Sequence, residues 1–434
     1  MNKLRVAVIG GGAAGLCAAR YMGARPDRFE PVVFEKADRV GGTWVYTEET
    51  GRDRHGLPIH SSMYSSLKTN LPKEVMAFPD FPFDSSLPSF IKHTEMLRYL
   101  DQYADHFNLL KYIQFNTIVE SVRPVKPSGD TQSVTWEVKV RDVENQESGA
   151  SVTSHYDAVM VCNGHYALPK IPDMDGLDTF SGQILHSHNY RHPETFKDQS
   201  ILIVGAGASG IDIGLDLSPH AKQVVISHWK RRFKTPLPSN VKEVQAIKSV
   251  GKTEVEFLDG CKDTFDSIMF CSGYDYDFSF LHPDCLVDVT DGRITPLYKH
   301  VIHQIFPSLC FIGTTIRICP YPHFHAQTLF YLAALDGSMK LPTQKDMQED
   351  EARDYQKKLD EGLPHRYAHY MGEGQWGYTS DILSLAGAEQ QKPVVKKLYE
   401  QVAVYRRIDV PNYKNMNFNV VDDENFVQLQ SLEQ

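Results

Sequence analysis

The chain lacks long hydrophobic runs and closely spaced cysteine pairs. Seven cysteines are scattered through 434 residues, at positions Cys17, Cys162, Cys261, Cys271, Cys285, Cys310 and Cys319. An odd, dispersed set with no Cys-x-x-Cys pair excludes the usual redox and zinc motifs and is typical of a reducing compartment. No run of about 18 apolar residues is present, and the first predicted strand begins too early for a signal peptide. We therefore expect a cytoplasmic protein without a transmembrane anchor.

The chain also lacks an excess of positive charge. Its formal net charge is -10, which argues against general binding to nucleic acid or to an anionic membrane, because both need basic surfaces. Hydrophobic residues make up 41% and charged residues 23% of the sequence. These proportions are typical of a large globular enzyme with two or three domains.

Two glycine-rich turns are the strongest positive feature. They are Gly10-x-Gly12-x-x-Gly15 and Gly205-x-Gly207-x-x-Gly210. Each follows a short β-branched run, at residues 4–9 and 201–204, and each opens a stretch suited to a helix. In such turns the glycines permit a tight bend, a close approach to a pyrophosphate, and close packing of helix on strand. The sequence therefore predicts that the protein holds two dinucleotides at once.

The residues about twenty positions further on distinguish the two sites. The strand predicted at residues 31–34 ends in Glu35, whose carboxylate is placed to accept hydrogen bonds from ribose hydroxyls and would repel a 2′-phosphate. The second turn is followed instead by residues 228–232, which include Lys230 and Arg231 and no acid. Lys and Arg bind phosphate well, so the second site is predicted to prefer NADP.

The order of predicted elements indicates an interrupted domain. A strand at residues 309–313 is expected to return to the first unit after the second turn has formed its own unit. We therefore predict an α/β fold with two Rossmann-like dinucleotide-binding domains, the NADP domain being inserted into the FAD domain. The predicted boundaries are 1–166 for the first part of the FAD domain, 167–289 for the NADP domain, and 290–434 for the second part with a C-terminal helical region.

Three further motifs carry a family resemblance. They are Glu35-x5-Gly41-Gly42-Thr43-Trp44, Tyr64-x-x-Leu67-x-Thr69-Asn70 and Phe180-x-Gly182-x-x-x-His186-x-x-x-Tyr190. Over residues 3 to about 335 the chain resembles the flavin-containing monooxygenases, and most nearly their short members from insects, yeast and plants, such as the senecionine N-oxygenase and glucosinolate S-oxygenase types. Related Baeyer-Villiger enzymes end the third motif in Trp followed by Pro or Asp, whereas this chain has Tyr190-Arg191.

The resemblance implies an enzyme of the N,N-dimethylaniline monooxygenase type with FAD and NADPH as cofactors. Such an enzyme forms a C4a-hydroperoxyflavin from dioxygen and transfers one oxygen to a small nucleophile. Its products would be N-oxides or S-oxides of amines, thioethers or thiols, in xenobiotic or dedicated metabolism. The resemblance also suggests a homodimer.

Asn70 is the predicted catalytic residue. The resemblance implies that Asn70 lies by the reactive edge of the flavin, where its carboxamide can donate a hydrogen bond without supplying an acidic proton. The predicted cofactor-binding residues are Gly10, Gly12, Ala14, Gly15, Glu35, Gly42, Thr43, Trp44, Thr69, Gly205, Gly207, Ser209, Gly210, Ser227, Lys230, Arg231 and Gln327. Gln327 is included because a helix predicted to begin near Ala326 would aim its N-terminus at the flavin.

Several histidines invite other interpretations. His323 and His325 are two residues apart and lack a third ligand at metal-site spacing, so no metal is predicted. His186 and Tyr190 are interpreted as parts of a linker that orders the NADP site rather than as an acid–base pair. His188 and His192 are interpreted as ordinary surface residues.

Two alternative functions stay open at this point, and a third is disfavoured. A Baeyer-Villiger monooxygenase would convert ketones to esters with the same cofactors. A non-oxygenating NADPH oxidase or flavin sensor would share the fold and release peroxide or no product. A flavin disulfide reductase is disfavoured because it needs a cysteine pair beside the flavin.

Overall fold

The computed structural model describes residues 3–125, 134–144, 150–229, 233 and 235–429. The strands and helices below are numbered along the chain. Apolar β-branched runs form the central strands of two sheets, because residues buried on both faces must be hydrophobic throughout.

The first sheet has seven strands in the order β20-β21-β22-β7-β1-β2-β3. They are β1 (Leu4–Ile9), β2 (Phe29–Phe34), β3 (Ile113–Gln114), β7 (Ala158–Val161), β20 (Leu297–Tyr298), β21 (Ile302–His303) and β22 (Leu309–Phe311). The central strands β3, β2, β1, β7 and β22 are parallel. Their carboxyl ends therefore meet at one edge of the sheet.

The second sheet has five parallel strands in the order β12-β11-β10-β16-β9. They are β9 (Gln183–His186), β10 (Ser200–Val204), β11 (Gln223–Ser227), β12 (Val241–Val244) and β16 (Ser267–Phe270). All of them lie between β7 and β20 in the chain, so one unit is inserted into the other. The predicted α/β fold with an inserted NADP domain is confirmed.

The two chain crossings between the units lie side by side. Strand β8 (Leu168–Pro169) pairs antiparallel with β17 (Tyr274–Asp275). Lys170 Nζ, just after β8, lies 2.9 Å from Asp275 Oδ1. The two chain connections of the inserted unit are thus adjacent, and the predicted boundaries 1–166, 167–289 and 290–434 stay predictions.

Smaller sheets and eight helices complete the described residues. The remaining strands are β4 (Thr117–Val125), β5 (Thr135–Asp142), β6 (Ser151–Tyr156), β13 (Ile247–Val250), β14 (Glu254–Phe257), β15 (Lys262–Thr264), β18 (Asp288–Thr290), β19 (Arg293–Thr295), β23 (Asn417–Val420) and β24 (Phe426–Leu429). The helices are α1 (Ala13–Gly23), α2 (Lys73–Met76), α3 (His93–His106), α4 (Ala208–Leu217), α5 (Pro320–Leu335), α6 (Gln344–Asp360), α7 (Gln375–Leu385) and α8 (Pro393–Ile408).

Helix α5 begins earlier than predicted. The expected start near Ala326 is wrong, because the helix starts at Pro320 and already contains His323 and His325. Proline is tolerated in the first turn of a helix, where its missing N–H has no intrahelical partner to lose. Among the described helices, none has both the length and the apolar character needed to cross a bilayer.

Candidate dinucleotide and flavin site

The first glycine-rich turn joins β1 to α1 under tight steric limits. Gly10 has a φ of +108°, and a Cβ built on it would lie 2.6 Å from the carbonyl oxygen of Cys162. A Cβ on Gly15 would lie 1.9 Å from the carbonyl oxygen of Gly10. Gly12 is the N-cap of α1 and Ala14 lies in its first turn, so the helix N-terminus opens at the turn. This arrangement is the one that accommodates a pyrophosphate.

The second turn repeats this geometry between β10 and α4. Gly205 has a φ of +113°, and a Cβ on Gly210 would lie 1.9 Å from the carbonyl oxygen of Gly205. Gly207, the N-cap of α4, has no atom within 4 Å of its hypothetical Cβ, and it and Ser209 are exposed. The helix N-terminus is thus open where a second pyrophosphate is predicted.

Glu35 is a buried carboxylate at the end of β2. It is only 7% exposed; its Oε2 accepts a hydrogen bond from the backbone N–H of Gly11 at 2.7 Å, and its Oε1 accepts one from Ala37 at 2.9 Å. Burial raises the pKa of Glu35, and the two backbone donors oppose that shift. The carboxylate is therefore fixed against the first turn.

The corresponding place in the second unit holds a histidine. Gly10 N–H donates to the carbonyl of Phe34 as Gly205 N–H donates to that of Ser227, so His228 matches Glu35 in position. His228 Nε2 lies 2.5 Å from Glu243 Oε1. The Ser227 hydroxyl donates its hydrogen to the carbonyl of Gln245. Lys230 and Arg231 lie outside the described residues.

The diglycine loop lies directly on the first turn. Gly41 and Gly42 both have positive φ values, and a Cβ on Gly12 would lie 3.5 Å from Cα of Gly42. The carbonyl of Thr43 accepts a hydrogen bond from Ser61 Oγ at 2.9 Å. The buried Thr43 hydroxyl has no hydrogen-bond partner among the described residues, and Trp44 packs against the main core. An unpaired buried hydroxyl in such a loop fits a bound ligand.

Asn70, the predicted catalytic residue, directly follows Thr69, which is held by two hydrogen bonds to Ile91. Thr69 N–H donates to the carbonyl of Ile91 at 2.8 Å, and Ile91 N–H donates to the Thr69 hydroxyl at 3.2 Å. The carboxamide of Asn70 is half-buried and makes no hydrogen bond within the described residues. Asn70 therefore has donor capacity that the protein itself leaves unused.

Gln327 is buried, and both ends of its amide group are hydrogen-bonded within the protein. Its Oε1 accepts a hydrogen bond from the backbone N–H of Gly313 at 2.9 Å, and its Nε2 donates to the hydroxyl of Tyr378 at 3.1 Å. It therefore fixes the end of β22 to α7, and its predicted cofactor contact stays a prediction. His323 contacts the Thr315 hydroxyl, and burial lowers the pKa of His323 to about 3.

The linker motif is buried rather than exposed. His186 Nε2 donates to the carbonyl of Gly273 at 3.0 Å, and burial lowers the pKa of His186 to about 4. His188 is also buried, and its Nε2 donates to the carbonyl of Ile59 at 2.9 Å. The interpretation of His188 as a surface residue is therefore wrong. His192 is partly exposed beside Glu48.

Arg191 is a structural residue that sequence reasoning missed. It is buried, and its guanidinium uses all five N–H donors on main-chain carbonyls. The acceptors are Thr47, His188, Tyr190, Glu49 and Ser61. The Tyr190-Arg191 ending was visible in the sequence as a departure from the Baeyer-Villiger pattern. The structure shows that it ties the linker to loops of the first unit.

The fold and the paired turns define an α/β protein with two dinucleotide-binding units. The flavin-binding monooxygenase-like family model matches residues 3–233 and 235–401. The chain therefore belongs to this family and is a flavin-containing monooxygenase, which confirms the resemblance. The family and the two units support FAD and NADPH as its cofactors.

Three known proteins are similar to this chain over most of its length. The flavin-containing monooxygenase FMO GS-OX-like 4 of Arabidopsis thaliana is 36% identical over 429 residues, covering 94% of this chain and 93% of the relative. The structure of S-allyl-L-cysteine S-oxygenase from Allium sativum matches with a TM-score of 0.86 at 34% identity, over 95% of each chain. The crystal structure of Tmm from Pelagibacter sp. strain HTCC7211 matches with a TM-score of 0.83 at 27% identity, over 95% of this chain and 93% of that one.

Proposed function

We propose that the protein is an NADPH- and FAD-dependent monooxygenase that oxygenates soft nucleophiles, at the nitrogen of amines or the sulfur of thioethers and thiols. The observation that carries this proposal is the repeated turn geometry, with the fixed carboxylate of Glu35 beside the first turn and a histidine, His228, in the matching position of the second. Two dinucleotides in one chain allow hydride to pass from nicotinamide to flavin. Sulfur is the first acceptor to test, because the matched Allium protein is named as an S-oxygenase.

The first turn fits FAD. Gly10, Gly12 and Gly15 leave room for a pyrophosphate at the N-terminus of α1, and the Glu35 carboxylate has capacity to accept from ribose hydroxyls besides its two backbone donors. Ala14, Gly42, Thr43, Trp44 and Thr69 complete the proposed FAD contacts. The unpaired hydroxyl of Thr43 supports this set.

The second turn fits NADPH. The open N-terminus of α4 at Gly207 and Ser209 would hold the pyrophosphate. Lys230 and Arg231 follow β11 in the sequence and would pair with the 2′-phosphate. Ser227 would contribute through its hydroxyl oxygen, which can still accept a hydrogen bond because only the hydroxyl hydrogen is donated to Gln245.

The residues of the chain would position and protect the reaction. FAD held at the first turn would supply the chemistry that activates dioxygen, and NADPH held at the second turn would supply the two electrons. Asn70 would donate its free carboxamide hydrogen near the reacting edge, and Thr69 holds the loop that carries it. The buried neutral His186 supplies no proton there, since its Nε2 hydrogen is held by a main-chain carbonyl. In the overall reaction one atom of dioxygen would go to the nucleophile, and the other would leave as water with two electrons from NADPH and two protons.

The decisive experiment measures products. Purified protein with FAD and NADPH is offered matched amines, thioethers and ketones in air, and N-oxides, S-oxides and esters are quantified against hydrogen peroxide. We expect S-oxide or N-oxide in amounts near the NADPH consumed. Faster conversion of ketone to ester would favour the Baeyer-Villiger alternative, and peroxide without product would favour the oxidase.

The setting of the enzyme is also a proposal. All seven cysteines are free and five are buried, which suits a reducing cytoplasm. A homodimer, and a small nucleophilic substrate together with dioxygen as the partners, follow from the family resemblance.

A further inference from the structure

One lysine outside both glycine-rich turns touches each dinucleotide-binding unit. Lys414 follows α8, and its Nζ lies 2.6 Å from Asp212 Oδ2 in α4. The same Nζ donates to the carbonyl of Lys68 at 3.1 Å. Lys68 lies two residues before Asn70 in the chain. One ammonium group therefore links the helix of the second turn to the loop of the predicted catalytic residue.

The link is shielded from water. The side chains of Lys414 and Asp212 are 17% and 16% exposed. Ion pairs in full solvent contribute little, because water and salt screen them and two long side chains must be ordered. A mostly buried pair with a further carbonyl acceptor is held more firmly, and loss of either partner leaves the other charge uncompensated.

The backbone around Lys414 is itself fixed to the Asn70 loop. Tyr413 is buried and packs edge-to-face on Phe90, with ring centroids 5.4 Å apart. Ser89 N–H donates to Asn417 Oδ1 at 2.9 Å, and Phe418 N–H donates to Ser89 Oγ at 2.8 Å. The segment 89–91 continues to Ile91, which pairs with Thr69. Residues 413–418, the clasp segment, thus support the loop through two independent routes.

We propose that Lys414 is a positioning residue, and that the clasp segment holds α4 and the Asn70 loop at a fixed spacing. The proposal rests on the proposed function, because this spacing matters only if two bound rings must meet. Displacement of reacting groups by about 1 Å can slow a reaction about 100-fold. Lys414 acts on the reaction through α4 and the loop and touches no reacting atom itself.

The test compares two lysine variants of the full-length, FAD-loaded protein. Lys414→Met removes the ammonium and keeps the length of the side chain. Lys397→Met is the control for loss of a lysine with the same kinds of partner at an exposed position, because Lys397 Nζ contacts one carboxylate oxygen at 2.7 Å and one carbonyl at 3.0 Å, both of Glu424 within the C-terminal region. Lys414→Arg keeps the charge and tests rescue, and Asp212→Asn tests the contact from the other side.

We expect Lys414→Met to retain FAD and to bind NADPH within about twofold of the wild-type Kd. Anaerobic stopped-flow measurements should show flavin reduction by NADPH slowed about tenfold or more, with the rate largely restored in Lys414→Arg. In protein without cofactors, hydrogen–deuterium exchange should rise in peptides covering residues 65–70 and 206–217. Lys397→Met should match the wild type in every measurement.

Two results would overturn the proposed positioning role of Lys414 and the clasp segment. One is unchanged exchange and unchanged flavin reduction in both Lys414→Met and Asp212→Asn. The other is a loss explained wholly by a smaller folded fraction, with the folded protein reducing flavin at the wild-type rate. Failure of the wild type to oxygenate any substrate would instead overturn the proposed function. The hydrogen–deuterium exchange comparison would still show whether the clasp segment holds α4 and the Asn70 loop in place.

Discussion

The hydroxyl of Tyr190 donates a hydrogen bond to Asp216 Oδ2 at 2.6 Å. Tyr190 ends the linker motif, whereas Asp216 lies in α4, the helix that follows the second glycine-rich turn. The motif is therefore anchored to the helix of the proposed NADPH site, which supports its interpretation as a linker that orders this site.

Removal of this anchor should weaken the second unit. Tyr190→Phe keeps the buried ring and deletes the hydroxyl, so we expect a loss of about 1 kcal/mol in the free energy of unfolding and weaker binding of NADPH, with FAD retained. Urea denaturation and NADPH titration measure both effects. Tyr405→Phe is the control, because its hydroxyl contacts Gln428 at an exposed position. Equal losses in the two variants would contradict a specific role for Tyr190.

Two glycines of the second turn should respond differently to alanine. Gly210→Ala places a Cβ 1.9 Å from a carbonyl oxygen and should disrupt the folding of this unit. Gly207→Ala meets no protein atom within 4 Å and has a φ of -73°, so the protein should fold normally. We expect Gly207→Ala to bind NADPH about tenfold or more weakly, since the close approach of the pyrophosphate is lost. Wild-type NADPH affinity in a folded Gly207→Ala protein would refute the proposed site.

Asn70 should matter after flavin reduction rather than before it. Asn70→Ala should retain FAD and be reduced by NADPH, but lose about 100-fold in product formation, the scale found when one donor to a reacting oxygen is removed. The electrons from NADPH should instead reduce dioxygen to hydrogen peroxide. Product and peroxide assays measure this split. Asn419→Ala, at an exposed position of β23, is the control, and unchanged product yield in Asn70→Ala would exclude the role.

The basic residues after β11 should set the preference for NADPH. Replacing both Lys230 and Arg231 by alanine removes two phosphate donors, each worth about 1.5–3 kcal/mol as a hydrogen bond involving a charged group. The Kd of NADPH should rise at least tenfold, and that of NADH should change little. Replacing Lys248 and Lys262, exposed lysines of the same unit, controls for overall charge. An equal rise in the Kd of NADPH and of NADH would contradict the assignment of Lys230 and Arg231 to the 2′-phosphate.

Buried histidines should make the protein sensitive to acid. Burial lowers the pKa of His186 and of His303 to about 4 and that of His323 to about 3, against an ordinary value near 6.5. The unfolded chain therefore binds more protons than the native state between pH 6.5 and about 4. Stability is fully present above pH 6.5 and falls as pH drops through this window, by up to about 1.4 kcal/mol per unit of pKa shift for each group.

Thermal unfolding between pH 8 and pH 4.5 measures this acid sensitivity. His303→Asn keeps an acceptor for the backbone N–H groups of Ile305 and Phe306 and removes one titrating group. Its Tm should fall less steeply below pH 6.5 than the wild-type Tm. A wild-type Tm that stays constant from pH 7 to pH 5 would show that these rings gain no protons on unfolding.

The sequence allowed the framework to be predicted because its strongest features are local. The strand predicted at residues 4–9 is found as Leu4–Ile9, and both turns have the steric crowding that their glycines indicate. The start of α5 was missed because Pro320 and Pro322 resemble loop residues by composition. The burial of His188 and Arg191 was missed for another reason. Several of their partners, including Ile59 and Thr47, are more than 120 residues away in the chain, and spacing in one sequence does not reveal such contacts.

The antiparallel pairing of β8 with β17 places the two chain connections of the inserted unit side by side. Its two ends are adjacent, so their separation would survive a change in the size or sequence of what lies between them. The second unit could therefore be replaced without moving the strands of the first unit. We expect a homologous unit with a different nucleotide preference to be exchangeable between β8 and β17, provided that it has a carboxylate that can pair with Lys414.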